Sequence, residues 1–190
     1  MKKLKIWFEA PTQLGLLTIL LLLFAIAFAA LTAKGDVRSN TIERIDYSIS
    51  YLLRYAPTHP LRKSHMKRRE LATQNELFAR RHRVCPYLLT AMEYYESSFE
   101  ISAEGSAGET GILQTHGTAS FRCKQMGFDL KTQAGQVECG AWWLAGRIKQ
   151  CGSVKRGLVA YACGKCKTVS HVVNWRVERR IKLAERLKAR

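Results

Sequence analysis

The sequence predicts a mainly α-helical protein, a helical domain preceded by one N-terminal transmembrane helix. Three observations carry that prediction. Lys2, Lys3 and Lys5 stand before an uncharged, apolar stretch from Leu14 to Ala33. Beyond that stretch, apolar residues recur at spacings of three and four, the period of a helix with one buried face. No run alternates apolar with polar residues for long enough to argue for a substantial sheet.

As a helix rising about 1.5 Å per residue, Leu14 to Ala33 is long enough to cross a hydrocarbon core of roughly 30 Å. The lysines ahead of it place residues 1–13 in the cytoplasm as a short basic N-terminus and turn the rest of the chain outward, although Lys34, Arg38 and Arg44 reduce the charge asymmetry. Ala27-Phe28-Ala29 also fits a small-x-small cleavage pattern, so 14–33 reads either as a retained anchor or as a signal sequence. The expected location is a membrane, single-pass, with the folded part on its outer side, or export if the segment is cut.

Residues 34–69 read as a basic juxtamembrane connector. Ile42, Ile45, Ile49, Leu52 and Leu53 predict a short amphipathic helix that stops before Pro57 and Pro60. From Pro57 to Arg69 the Lys, Arg and His residues suggest solvated chain rather than core. The globular domain is assigned to 70–190. Leu71, Leu77 and Phe78 mark one helix, and Pro86 opens the next, where a missing amide hydrogen costs nothing. Trp142, Trp143, Leu144 and Ile148 mark another, followed by Val154, Leu158 and Tyr161, then a basic helix after Ser170. A globular part of roughly 120 to 150 residues buries about two-thirds of its unfolded surface, enough for one core.

The 31 Lys and Arg against 15 Asp and Glu give a formal charge of +16. Such a surface favours anionic partners without choosing among nucleic acid, anionic lipid and acidic wall polymers. The distribution is more informative: Arg54–Arg83 and Arg176–Arg190 are basic, whereas Val84–Phe121 holds five Glu and neither Lys nor Arg. An export segment and this acidic island argue against nucleic acid. Cys85, Cys123, Cys139, Cys151, Cys163 and Cys166 all lie in the exported part, an even count that reads as disulfides with fifteen possible pairings. Cys163-Gly164-Lys165-Cys166 has redox or zinc spacing, but no second such pair completes a four-ligand site, so no metal and no cofactor are expected.

On the helix that begins at Pro86, a step of about 100° per residue gathers Leu88, Met92, Tyr95 and Phe99 into one sector with Leu89 at its edge. Glu96 falls inside the sector, and Glu93 and Glu100 fall at or beyond its margin. A carboxyl at an apolar boundary keeps its proton nearer neutral pH, as a general acid must. His116 reads as a loop residue rather than a ligand.

AMEYYESSF (Ala91–Phe99), GETGILQ (Gly108–Gln114) and AYACG (Ala160–Gly164) resemble, in order and spacing, the three motifs of the lysozyme-like lytic transglycosylases with an SLT-type catalytic domain. The resemblance covers roughly Leu71 to Leu187 and implies a lysozyme-like, goose-type helical fold. Its Glu-Ser is Glu96-Ser97, its Gly-Leu-Met-Gln turn is Gly111-Ile112-Leu113-Gln114, and its Ala-Tyr-Asn is Ala160-Tyr161-Ala162. Leu113 replaces Met, and Ala162 replaces Asn, which removes an amide.

The resemblance implies cleavage of the β-1,4 bond between N-acetylmuramic acid and N-acetylglucosamine in peptidoglycan. Glu96 protonates the leaving oxygen, then deprotonates the muramyl 6-hydroxyl so that a 1,6-anhydro ring closes. Tyr161 is expected to donate its hydroxyl to Glu96, and Ser97, Gly111, Leu113 and Gln114 to meet the sugar or wall the site. A muramidase reading needs a second carboxylate, for which Glu104, Glu109 and Asp129 are candidates. An inactive peptidoglycan-binding module is the third reading, favoured only by Ala162. Peptidoglycan strands and the inner membrane are the expected partners, with an envelope-spanning secretion or phage machine as the setting.

Overall fold

A computed structural model describes the backbone of residues 13–167 and 170–190, and the side chains of 19–27, 39–167 and 170–190. The chain divides into two units, one ending at Asn40 and the other running from Thr41 to Arg190. Eight helices are present among the described residues: α1 (Gln13–Leu52), α2 (Pro60–Lys63), α3 (His65–His82), α4 (Pro86–Ser97), α5 (Thr118–Gln125), α6 (Gln133–Cys151), α7 (Val154–Cys163) and α8 (His171–Lys188). Two isolated bridges, Glu104 to Thr110 and Thr110 to Thr115, are the only β pairing described. The mainly helical prediction holds.

In the first unit, Ile19 to Phe24 and Ile26 are exposed on helical backbone. Among the described residues no helix is long and apolar enough to cross a membrane. The side chains of 14–18 and 28–33, both within the expected anchor, lie outside the described residues.

In the second unit the connector differs from its sequence reading. The amphipathic turns at Ile42–Leu53 are no separate helix but the continuation of α1, and Ile45, Ile49 and Leu53 are core residues, as is Leu61 of α2. Asp46 accepts from Arg68 Nε at 3.0 Å and lies 3.2 Å from His65 Nε2, so the basic cluster is partly tied to a carboxylate instead of freely solvated. The folded body therefore starts at Thr41 rather than at residue 70. The basic composition hid this, because long cationic side chains cover apolar surface with their stems.

Side-chain caps open four of the remaining helices. Ser64, Thr132, Ser153 and Ser170 each accept from a backbone amide three residues on, at α3, α6, α7 and α8. Such a cap is worth about 1 kcal/mol. Helix α4 packs against α3 and α8, α6 against α3, α5 and α7, and α7 against α8. From Tyr87 to Glu93 every residue of α4 is buried, which makes it the interior helix of the unit. Cys123–Cys139 ties α5 to α6, and Cys151–Cys166 closes a loop around α7. Cys85 and Cys163 remain free thiols, contrary to the expectation that all six pair. Cys163 Sγ turns back onto its own helix, 3.1 Å from the Val159 carbonyl.

Candidate active site

Helix α4 stops immediately after Glu96-Ser97 because Ser98 and Phe99 both take positive φ, 55° and 69°. Ser98 N–H donates to the Tyr94 carbonyl at 3.1 Å and Phe99 N–H to the Glu93 carbonyl at 3.3 Å, a two-bond helix ending that side chains rarely adopt without support. Phe99, 2 % exposed, supplies it by anchoring in the core.

The loop after α4 is held by side chains rather than by a sheet. Ser97 Oγ donates to the Ile112 carbonyl at 2.8 Å and accepts from Glu100 N–H at 3.1 Å. Gln136 of α6 reaches in as a brace: its Oε1 accepts from Ile112 N–H at 2.9 Å, and its Nε2 donates to the carbonyls of Ile101 and Leu130 at 3.1 and 3.0 Å. Gly111, with φ of 80°, lies so close to that amide that a Cβ would collide with it. Gln114 Nε2 donates to the Gly111 and Ala103 carbonyls at 2.8 and 3.1 Å, closing the turn on itself.

This loop, α7 and α8 enclose a cavity of about 620 Å³ into which Glu96, Glu109, Gln114, Tyr161 and Arg180 project. A second cavity of about 760 Å³, lined by Trp142, Trp143 and Arg147 among others, meets the first at Thr118, Trp143 and Arg147 but does not reach Glu96. The chemistry belongs to the first. Glu96, its side chain 19 % exposed, accepts from Arg180 Nη2 at 2.7 Å. Burial pushes its carboxyl above the ordinary range, and the nearby Glu109 charge adds a little. Arg180 and Arg176 pull in the opposite direction without cancelling the burial effect. An acid of raised affinity for its proton, opening on a groove, is equipped to protonate a leaving oxygen.

The predicted residues separate into two groups. Glu96, Gln114 and Tyr161 line the cavity, whereas Ser97, Gly111 and Leu113 do not. Leu113 is 1 % exposed and fits against Gly140, where a Cβ would strike it, so it is a core residue rather than a sugar contact. Ser97 and Gly111 shape the loop behind the cavity. The Tyr161 hydroxyl donates to the Leu113 carbonyl at 2.8 Å instead of to Glu96, whose Oε1 is taken by Arg180. Burial, then the Glu96 charge, drive the Tyr161 phenol upward, so it remains a neutral donor. Of the three alternative carboxylates only Glu109 reaches the cavity. It is held ionised by backbone amides, including Ala107 N–H at 3.0 Å.

Three further residues were not singled out from the sequence. Arg180 stood in a tail read simply as basic, yet Val177, Arg180, Ala184 and Leu187 recur at three and four and are all buried, a periodicity that marks Arg180 as inward-facing. Gln136 and Asn75 left no such signal. Glu93, assigned to the margin of the α4 stripe, is instead fully buried, because α4 is covered on more than one face. Its Oε2 accepts from Asn75 Nδ2 at 2.7 Å, and burial raises its carboxyl to about 8.

Residues 75–180, more than half of the chain, match the transglycosylase SLT domain. The chain belongs to that family. The matched segment runs from Asn75 to Arg180, and therefore contains all three motifs, the buried Glu93–Asn75 pair and the Glu96 groove. An SLT domain of this kind acts on peptidoglycan in the general manner of the lytic transglycosylases. A search of curated proteins finds no match to the chain.

Proposed function

We propose that this SLT protein is a lytic transglycosylase that cuts the β-1,4 bond between N-acetylmuramic acid and N-acetylglucosamine and leaves 1,6-anhydromuramic acid. The observation that carries the reading is Glu96: a half-buried carboxyl, raised by desolvation, at the wall of a cavity large enough for a saccharide. In its protonated form it gives its proton to the glycosidic oxygen as the bond breaks. The carboxylate so formed takes the proton of the muramyl 6-hydroxyl as that oxygen closes on C1, so the acid is regenerated and no water is consumed. Tyr161 serves indirectly, by fixing the Leu113 carbonyl and with it the loop opposite.

The hydrolytic reading has one observation in its favour, the ionised Glu109 in the same cavity, which is the kind of second carboxylate a muramidase uses to activate water. The product separates the two. Purified full-length protein and the Glu96→Gln variant are incubated with peptidoglycan and the muropeptides are weighed by mass spectrometry. Anhydro products from the wild type, with a rate loss of roughly 10²- to 10⁴-fold in the variant, are expected. Hydrated ends that vanish in Glu109→Gln would replace the proposal with the muramidase, and binding without products would reduce the domain to a wall-binding module.

The proposed setting is the periplasmic face of the inner membrane, with 14–33 as a single-pass anchor and local opening of the wall for an envelope-spanning machine as the task. The exposed Ile19–Phe24 side chains support an apolar surrounding for that segment, and the formal charge of +16 supports contact with anionic polymers. Alkaline carbonate extraction of cell membranes tests the anchor: protein released into the soluble fraction would contradict it.

A further inference from the structure

Glu96 faces two cavities. Besides the groove, a smaller one of about 330 Å³ is lined by Tyr95, Glu96, Trp175, Arg176, Arg179 and Arg180. The Arg179 guanidinium lies over both aromatic rings, 4.8 Å from the centroid of Tyr95 and 4.4 Å from that of Trp175, which hold it beside the cavity. Among the described residues neither Arg176 nor Arg179 has an ion-pair partner, and Arg180 has only Glu96. Arg180 is 7 % exposed, and its Nε is buried with no hydrogen-bond partner. Three guanidiniums thus line a cavity whose one carboxylate, Glu96, pairs with Arg180 alone, and that carboxylate is the one the proposed reaction requires to carry a proton.

The two cavities have Glu96, Arg176 and Arg180 in common. An anion held in the smaller one is therefore within reach of a molecule lying in the groove. We propose that Arg176, Arg179 and Arg180 form an anion-binding subsite for a carboxylate on the peptide stem of the substrate, and that its occupation draws Arg180 off Glu96 and releases the acid for protonation. The inference rests on peptidoglycan being the substrate and adds how the substrate arms its own acid.

The direction follows from charge. Glu96 is faced from α8 by Arg180 and Arg176, from the loop by Glu109 and from α7 by the neutral Tyr161. Only the arginines favour its ionised form. A carboxylate that engages them removes that support and adds a negative charge nearby, and both changes favour the proton on Glu96. A strand without its peptide leaves Arg180 on Glu96 and the proton less tightly held, so stem-bearing glycan is cut faster than bare glycan. Guanidinium forks suit a planar carboxylate, since each can donate two parallel N–H groups.

The test needs no turnover, so it stands whether or not the chain proves to be a transglycosylase. Full-length protein in detergent micelles, carrying ¹³C-labelled glutamate carboxyls, is titrated by NMR, the Glu96 signal being identified by its loss in Glu96→Gln. Addition of a free stem tetrapeptide is expected to raise the Glu96 midpoint by about one pH unit, a tenfold gain in proton affinity. The C-terminally amidated peptide should raise it less, and Arg176→Ala with Arg179→Ala should weaken peptide binding about tenfold. A peptide that binds without moving the Glu96 midpoint, or fails to bind, overturns the proposal. So does inorganic phosphate that moves the midpoint when the peptide does not, because the subsite would then serve a phosphate rather than the stem.

Discussion

Glu93 and Glu96 stand three residues apart on α4, and the regions around them treat a carboxyl in opposite ways. At Glu93 the wall is α3, the partner is a neutral amide, and exposure is zero; Glu93 Oε1 and Asn75 Oδ1 are both buried without partners, so a proton supplies a donor the pair lacks. At Glu96 the wall is α8, the partner is a cation, and one side opens on the groove. Desolvation acts on both, but only at Glu96 is it opposed by charge, and only there is the proton within reach of a ligand. Burial alone makes a stored proton; burial set against an arginine and an opening makes one that can be delivered.

The largest effect expected from this contrast is on rate. Glu96→Gln should slow bond cleavage by roughly 10²- to 10⁴-fold and keep the fold, because the amide oxygen still accepts from Arg180. Glu93→Gln should leave cleavage in place, since an amide mimics the protonated acid that Asn75 already meets. Muropeptide release and circular dichroism of both variants check this pair, and a Glu93→Gln protein as inactive as Glu96→Gln would erase the distinction.

Next in size is a stability difference with pH. Glu93 holds its proton to about 8 in the folded chain and loses it near the ordinary 4.5 when unfolded. Between those values the unfolded state binds fewer protons, so stability falls as pH rises through the window, by on the order of 5 kcal/mol if the whole shift is realised. Glu96, also raised, contributes with the same sign. Urea unfolding should show wild type weaker at pH 8 than at pH 5, and Glu93→Gln with a much flatter dependence. Equal slopes for the two proteins would mean that Glu93 does not carry the proton.

Much of the contrast was readable in the chain before its structure. The helical class, Glu96 at an apolar boundary, and the three motifs all follow from local spacing, since Pro86, the serine caps and the three-and-four recurrence act within a few residues. What was not legible depends on more than one element. The margin position of Glu93 rested on α4 having a single buried stripe, and α3 and α8 cover it on separate faces. Leu113 and Gly111 read as substrate contacts because a motif marks that residues belong together, not which side of the loop they face. Within the connector at 34–69, Pro57 to Arg69 reads as solvated because its charges are counted easily, while Leu61 finds its neighbours only across the fold, as do Ile45 and Ile49 of the amphipathic turns before it.

The covalent ties sharpen the comparison further. Cys151–Cys166 encloses α7, the helix that brings Tyr161 to the groove, whereas no disulfide touches α3 or α4 around Glu93. Closing a loop of 15 residues stabilises by about 3 kcal/mol. Cys151→Ala with Cys166→Ala should therefore lower the urea midpoint and slow cleavage while leaving the pH slope due to Glu93 unchanged. A variant that loses the slope as well would show that the two regions unfold as one and that their separate chemistry has no separate stability.

Tyr161→Phe should have the smallest effect and discriminates most finely between direct and indirect roles. The hydroxyl donates to the Leu113 carbonyl at 2.8 Å, so its removal costs roughly 1 kcal/mol of stability. Leu113 belongs to the turn that Gln136 and Ser97 brace through Ile112, so the groove-side loop loosens at one of several supports. If Tyr161 acts only through that loop, cleavage slows modestly and the pH profile of the rate keeps its shape, because Glu96 retains Arg180. If instead the hydroxyl swings to Glu96 once a strand is bound, its loss removes a donor from the carboxylate and moves the alkaline limb of the profile, where Glu96 loses its proton, upward in pH. A profile measured on both proteins therefore decides whether Glu96 is governed by α8 alone or by α7 and α8 together.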